Sequence, residues 1–413
     1  MTIYCKRRLY MVKKIFLQLI RSSLAQESTP VITTLSKEQW NEIFILAKNH
    51  RLIPLLLNSI YQSYPFDKTD LDPLKAHTKL LVYEQTLKTQ NFLEVYSHLL
   101  SKGLEPVVVK GIVCRSYYPD PDCRTSSDED ILIPAKNFDL YCCALEEISS
   151  NPIKEEAKLK YQTTFLRSGK FPLEIHKSLF PTDSDYFLRW NNLFANVFET
   201  TAHINIQNCS IRTLCPTDHL LYLTLHSLKH FIHSGVGIRQ VCDITLMANT
   251  YGKELDWQKY FDACKSLSAE YFALALFAIG EKHLTFDRIA AGFPSNIDLT
   301  AIDEIPLLED IIDAGVFGSS TMSRRHSAGF TFETAQGKKT NVLKRAFPSR
   351  KSISNKYHYA KKNPILLPIA WAHRLANYKK EIKNNPDNRP SVSLQTGRER
   401  LELLKIYNLV NHK

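Results

Sequence analysis

The stretch Arg124-Thr-Ser-Ser-Asp128-Glu129-Asp130-Ile-Leu-Ile-Pro134 decides how the rest of the chain is read. A polar turn gives way there to an apolar run, and two aspartates stand two positions apart at the change. On a strand, residues i and i+2 share a face and lie about 6–7 Å apart along it. Asp128 and Asp130 are therefore expected to converge on one divalent cation or a pair of them, with Glu129 pointing the other way. A hard cation such as Mg²⁺ takes oxygen ligands and shares them with substrate phosphates.

Working outward, the upstream segment reads Glu105-Pro-Val-Val-Val-Lys110-Gly111-Ile-Val-Cys-Arg115-Ser-Tyr-Tyr118-Pro119. Its β-branched run predicts a strand over 106–109. Gly111 permits a turn and a close backbone approach, and a short helix over 111–118 is stopped by Pro119. The N-terminus of that helix, with Lys110 beside it, is suited to a phosphate. Downstream, Phe171-Pro-Leu-Glu174-Ile-His176 alternates so that Glu174 and His176 share one face of a strand over 172–176. Paired beside the aspartate strand, Glu174 completes a set of three carboxylates. Such a set holds metal ions that bridge a nucleoside triphosphate and activate an attacking oxygen. Arg124 reads two ways, as a bidentate grip on phosphate or as a salt bridge to Asp128.

Together these motifs are Lys110-Gly111, Tyr118-x-x-Pro121, Arg124-x-x-x-Asp128-x-Asp130 and Glu174-x-His176. The combination resembles the uncharacterised nucleotidyltransferase family, which is placed in the DNA polymerase β-like superfamily. The resemblance continues in His226-Ser-Leu-Lys-His230, Arg239 to Asp243 and Asp256-Trp257, then in Phe347 to Ser349 and Pro364 to Arg374. It runs in patches from about residue 11 to 380. It implies an α+β core, two metal ions, and transfer of a nucleoside monophosphate from an NTP to an acceptor. Carried over by position, Asp128, Asp130 and Glu174 are the expected metal ligands and catalytic residues. Lys110, Gly111 and Arg124 are the expected nucleotide contacts. The expected cofactor is Mg²⁺ or Mn²⁺, and the expected partners are an NTP and an acceptor such as a small molecule, peptide or protein hydroxyl. The sequence departs from the superfamily pattern at Ile112, where a small or hydroxyl residue is usual, and at Glu129, where an apolar one is usual. Those departures support an alternative, a binding protein that keeps the fold without the chemistry.

His226, His230 and His233 stand at i, i+4 and i+7 of one helix. The apolar run around them reads as core packing rather than a zinc site; a separate expectation is that the histidines border the substrate cleft. From Lys338 to Lys413 there are 18 Lys/Arg against 4 Asp/Glu, a net +14, although the whole chain carries only +11. This surplus supports a further alternative, an RNA-directed nucleotidyltransferase. Nucleic acid is not the favoured partner.

The 413 residues, 44% of them hydrophobic, allow two or three domains with sizeable cores. Nine cysteines without a C-x-x-C pair fit a reducing, cytoplasmic setting, and no stretch is apolar enough to span a membrane. Met11 opens a better amphipathic helix than the basic residues before it and is the expected start. The fold class is α+β, a small mixed sheet flanked by helical regions. The expected organisation is a helical region over 1–103, a nucleotidyltransferase core over 104–214 and helices over 215–290. A loop or lid over 291–340 and a basic helical segment over 341–413 follow. Core strands are expected at 106–109, 129–133, 163–168, 172–176 and 210–214, with helices at 111–118 and 136–148.

Overall fold

The computed structural model describes residues 3–149, 161–167, 171–233, 235–315, 347–350, 353, 357–384 and 390–409. The fold is α+β. Four helices come first: α1 (Ile3–Ala25), α2 (Lys37–Asn49), α3 (Ile53–Ser63) and α4 (Asp72–Ser101). Ser36 starts α2 through a capping box with Gln39, and Trp40, Ile43 and Ala47 form its buried stripe.

The core that follows is a six-stranded mixed sheet. Its strands are β1 (Val107–Val108), β2 (Glu129–Leu132), β3 (Gln162–Arg167), β4 (Phe171–His176), β5 (Thr201–Ile206) and β6 (Cys209–Leu214). Their order across the sheet is β3-β4-β2-β1-β6-β5. β2 runs parallel to β4 and antiparallel to β1, and β1 runs parallel to β6. The short helix α5 (Ile112–Arg115) follows β1, and α6 (Phe138–Glu146) follows β2.

Alternation sorts the sheet's side chains into two cores. Val108, Ile131, Leu173, Ile175 and Ile211 face α4 and α6, where Phe92, Tyr96, Phe138 and Tyr141 cover them. Val107, Val109, Leu132 and Leu214 join the larger helical core on the other side. That core includes α7 (Asp185–Asn192), α8 (Pro216–His233), α9 (Ile238–Tyr251), α10 (Trp257–Ser266) and α11 (Glu270–His283). Two side-chain bonds tie β6 and the start of α8 to β1 and the residue after it. Thr213 Oγ1 donates to the Val108 carbonyl at 2.6 Å, and His219 Nε2 to the Val109 carbonyl at 2.9 Å.

The structure departs from the sequence expectations in two places. Thr201–Ile206 is a strand, joined to β6 by Gln207 and Asn208, both at positive φ. This is the two-residue turn that matches strand twist. Part of the segment expected as a loop or lid is a helix, α12 (Ile305–Ala314), which buries Leu307, Leu308, Ile311 and Ile312. Residues 316–346, the rest of the expected lid and the start of the basic segment, lie outside the described residues. Beyond them come α13 (His358–Lys362), α14 (Leu367–Asn384) and α15 (Pro390–Ile406). Arg400 of α15 is buried and donates to the Phe231 carbonyl, so this cation of the basic segment is part of the packing. Among the described residues the cysteines are free thiols, and no helix is long and apolar enough to cross a membrane.

Burial brings His219 down to about 4, against the opposing bond to the Val109 carbonyl. It brings His50 to about 4 in the same way, against its bond to the Ile312 carbonyl. Both values lie below the ordinary 6.5, so the stability tied to the neutral rings is complete above about pH 6.5 and is lost as pH falls toward 4. The thermal midpoint is therefore expected to drop on acidification through that window. A His219→Gln variant, which keeps a donor for Val109 but does not titrate, should lose up to ~1.4 kcal/mol per pH unit of the slope. Parallel stability–pH curves for the two proteins would show that His219 is not a source of the acid sensitivity.

Candidate active site

The site is built on the register of β2 and β4. Asp130 lies opposite Glu174 and Leu132 opposite His176 in the parallel pair, so Asp130, Glu174 and His176 emerge on one face. Their ligand atoms lie within 4.8 Å of one another, the metal-capable group of three found among the described residues. His176 Nε2 is 3.0 Å from Asp130 Oδ1 and 3.5 Å from Glu174 Oε2, so the imidazole clamps both carboxylates. Gln162 of β3 donates to Glu174 Oε2 at 3.2 Å from the other side.

Asp130 Oδ2 is buried and receives no hydrogen bond. The nearest cation is Lys110 Nζ, 3.6 Å away. Burial would raise the Asp130 carboxyl, but Lys110 and the His176 bond outweigh it and hold it well below the usual carboxylate range. Asp128 moves the opposite way, raised by burial and by repulsion from Asp130 and Glu174. It stands just before β2 rather than on it, and lies outside the 4.8 Å group. An undonated buried carboxylate oxygen, an adjoining glutamate and a third carboxyl raised by its neighbours together fit a hard divalent cation.

Helix α8 closes the site from above. Lys110 donates to His226 Nε2 at 3.4 Å, and His230 Nε2 lies 3.3 Å from the same atom. Burial, then Lys110, pushes His226 well below its ordinary value, so its ring is the neutral acceptor that Lys110 requires. Burial and Lys110 also bring the Lys229 ammonium down to about 8, against the pull of Asp130 and Glu174. His226 thus stands beside the cation that faces Asp130, and among the described residues the three histidines form no metal group of their own. Lys229 and His176 were not among the expected site residues. The available signals were the strand alternation that puts His176 beside Glu174, and the helical spacing that puts Lys229 within one turn of both His226 and His230.

Two other expected residues serve the frame. Glu129, fully buried on the opposite face of β2, pairs with Arg115 and accepts the Ile112 N–H at 2.5 Å. It therefore occupies the N-terminus of α5, the place expected to receive a phosphate. A Cβ at Gly111 (φ +62°) would stand 1.8 Å from Glu129 Oε2, so the glycine is required by this internal carboxylate. Ile112 is a core residue, 2% exposed. The two departures from the superfamily pattern are thus parts of the packing. Arg124 does not form the salt bridge to Asp128 that is one of its two readings. Its Nε and Nη2 grip Asp243 of α9 at 3.0 and 2.5 Å, and Tyr118 donates to the same carboxylate at 2.7 Å. Arg239 donates to the Thr125 carbonyl, so α9 holds the loop that leads to Asp128.

The pattern of the family described as uncharacterised nucleotidyltransferase matches residues 36–284, more than half of the chain. The chain belongs to this family. The match covers the six strands, the carboxylate set and α8 to α11. It ends before the C-terminal stretches whose motifs also resemble the family. No curated protein and no solved structure matches the chain.

Replacing Glu129 by Gln leaves Arg115 as a buried charge without its partner. The expected loss is roughly 3–5 kcal/mol of stability in chemical denaturation. A loss under about 1 kcal/mol would mean that the pair does not anchor the turn.

Proposed function

We propose that the protein is a metal-dependent nucleotidyltransferase that moves a nucleoside monophosphate from an NTP to an acceptor hydroxyl. The observation that carries this reading is the buried, undonated Oδ2 of Asp130, set beside Glu174 and below a pair of lysines. Asp128, Asp130 and Glu174 are the ligands for Mg²⁺ or Mn²⁺. When bound, the metal would neutralise triphosphate charge and favour the alkoxide form of the acceptor.

The chain's own groups have separable roles in this reading. His176 orients the two carboxylates that it clamps, as outer partners of metal ligands do. Lys110 and Lys229 supply positive charge where the triphosphate oxygens would lie. With the NTP bound, the negative charge raises Lys229 and keeps it an ammonium. Glu174, 25% exposed against 5% for Asp130, is the carboxylate open to the acceptor and takes up its proton. The buried faces of β2 and α8 limit water at the reacting centre.

Titration calorimetry of each NTP, with Mg²⁺ and with chelator, tests the reading. Binding is expected to need the metal and to be lost in Asp130→Asn, which keeps the shape and removes the charge. His176→Ala should raise the metal concentration required by roughly 10–100-fold. NTP binding that is indifferent to both metal and Asp130 would overturn the assignment.

A further inference from the structure

A cleft of about 360 Å³ lies where the end of α2 and the turn to α3 meet α4 and the loop that leads to Asp128. Its volume suits one small molecule. Lys48 lines it from the end of α2, Arg51 from the turn, Lys88 from α4, and Ser126 and Ser127 from the loop. Three fixed cations here face one fixed anion, Glu84. Ile53 and Leu81 supply an apolar wall.

Gln85 is the decisive residue. It lines the cleft and is 1% exposed. Its Oε1 accepts the Ser126 N–H at 2.7 Å, yet its Nε2 is buried with no acceptor. A buried donor left unmade is costly and rare in a folded protein, and among the residues that line this cleft Gln85 is the one with such an orphan. Lys88 already donates to the Ser126 carbonyl at 2.8 Å and is held at the cleft wall.

The cleft is distinct from the carboxylate site. Gln85 reaches the same Ser126 that bonds Arg115 and adjoins Glu129, on the α4 side of β2. Asp130 and Glu174 emerge on the α8 side. From the cations, the orphaned amide and the apolar wall, we propose that this cleft is a second binding site, one that takes a phosphate-bearing small molecule. The inference is independent of the nucleotidyl-transfer reading, because none of its residues is a proposed metal ligand. An occupant would touch Ser126 and Ser127, which directly precede Asp128.

The test uses inorganic pyrophosphate as probe, in chelator, so that metal-dependent binding at the carboxylates does not contribute. Calorimetry of the full chain is compared for wild type, Lys48→Ala/Arg51→Ala and Asp130→Asn. Lys48 and Arg51 are exposed, and an unchanged melting midpoint verifies that the double variant folds. The expected result is binding to wild type and Asp130→Asn alike, with affinity reduced roughly tenfold or more in the double variant. Absence of binding to wild type at millimolar pyrophosphate overturns the proposal. So does binding that Lys48→Ala/Arg51→Ala leaves intact.

Discussion

The buried ion pair between Arg115 and Glu129 is the constraint on which the site's geometry depends. Both side chains are at most 1% exposed, so their charges are tolerable only with excellent partners. Glu129 finds them in Arg115, in the Ile112 N–H and in Ser126. Arg115 also reaches Ser126 and Thr89 of α4. The carboxylate stands where any side chain at position 111 would be, which explains the glycine and its positive φ. One acidic residue thus locks the turn after β1, the start of β2 and the face of α4 into a single unit. The residues on either side of it, Asp128 and Asp130, take their positions from that unit.

The second requirement is charge balance around the carboxylates. Parallel pairing of β2 with β4 forces Asp130 and Glu174 together, which repulsion opposes. Lys110, His176 and Lys229 offset it from the turn, the neighbouring strand and α8. The helix is held over the strands by neutral, buried His219, while Lys110 stays 3.6 Å from Asp130 Oδ2. The resulting arrangement concentrates opposite charges in a low-dielectric setting, as transfer of a charged phosphoryl group needs.

Much of the fold was legible because its signals are local. The β-branched run at 107–109, the alternation at 171–176 and the long stripe of α4 appear within a few residues of the expected places. β5 was missed because Thr201–Ile206 is half-exposed and contributes only Ile204 and Ile206 to a core. Its turn, Gln207-Asn208, lacks the glycine that usually marks a two-residue hairpin. α12 was hidden by the Pro and Gly residues that flank it, though its buried Leu307, Leu308, Ile311 and Ile312 follow helical spacing.

By itself the sequence determined which chemistry is available and which residues share a face. The period of two on 171–176 put Glu174 and His176 on one side, and Asp128 and Asp130 stood two apart. Only the tertiary structure decided what each acid meets. Arg124 and Asp243, 119 positions apart, become a fork and its carboxylate. Asp128 and Glu129, one residue apart, part company, one beside the carboxylates of Asp130 and Glu174 and one inside the core. Neighbours along a strand point to opposite layers, and the contents of those layers come from helices distant in the chain. The residue type sets what a side chain could do, and the layer that receives it sets what it does.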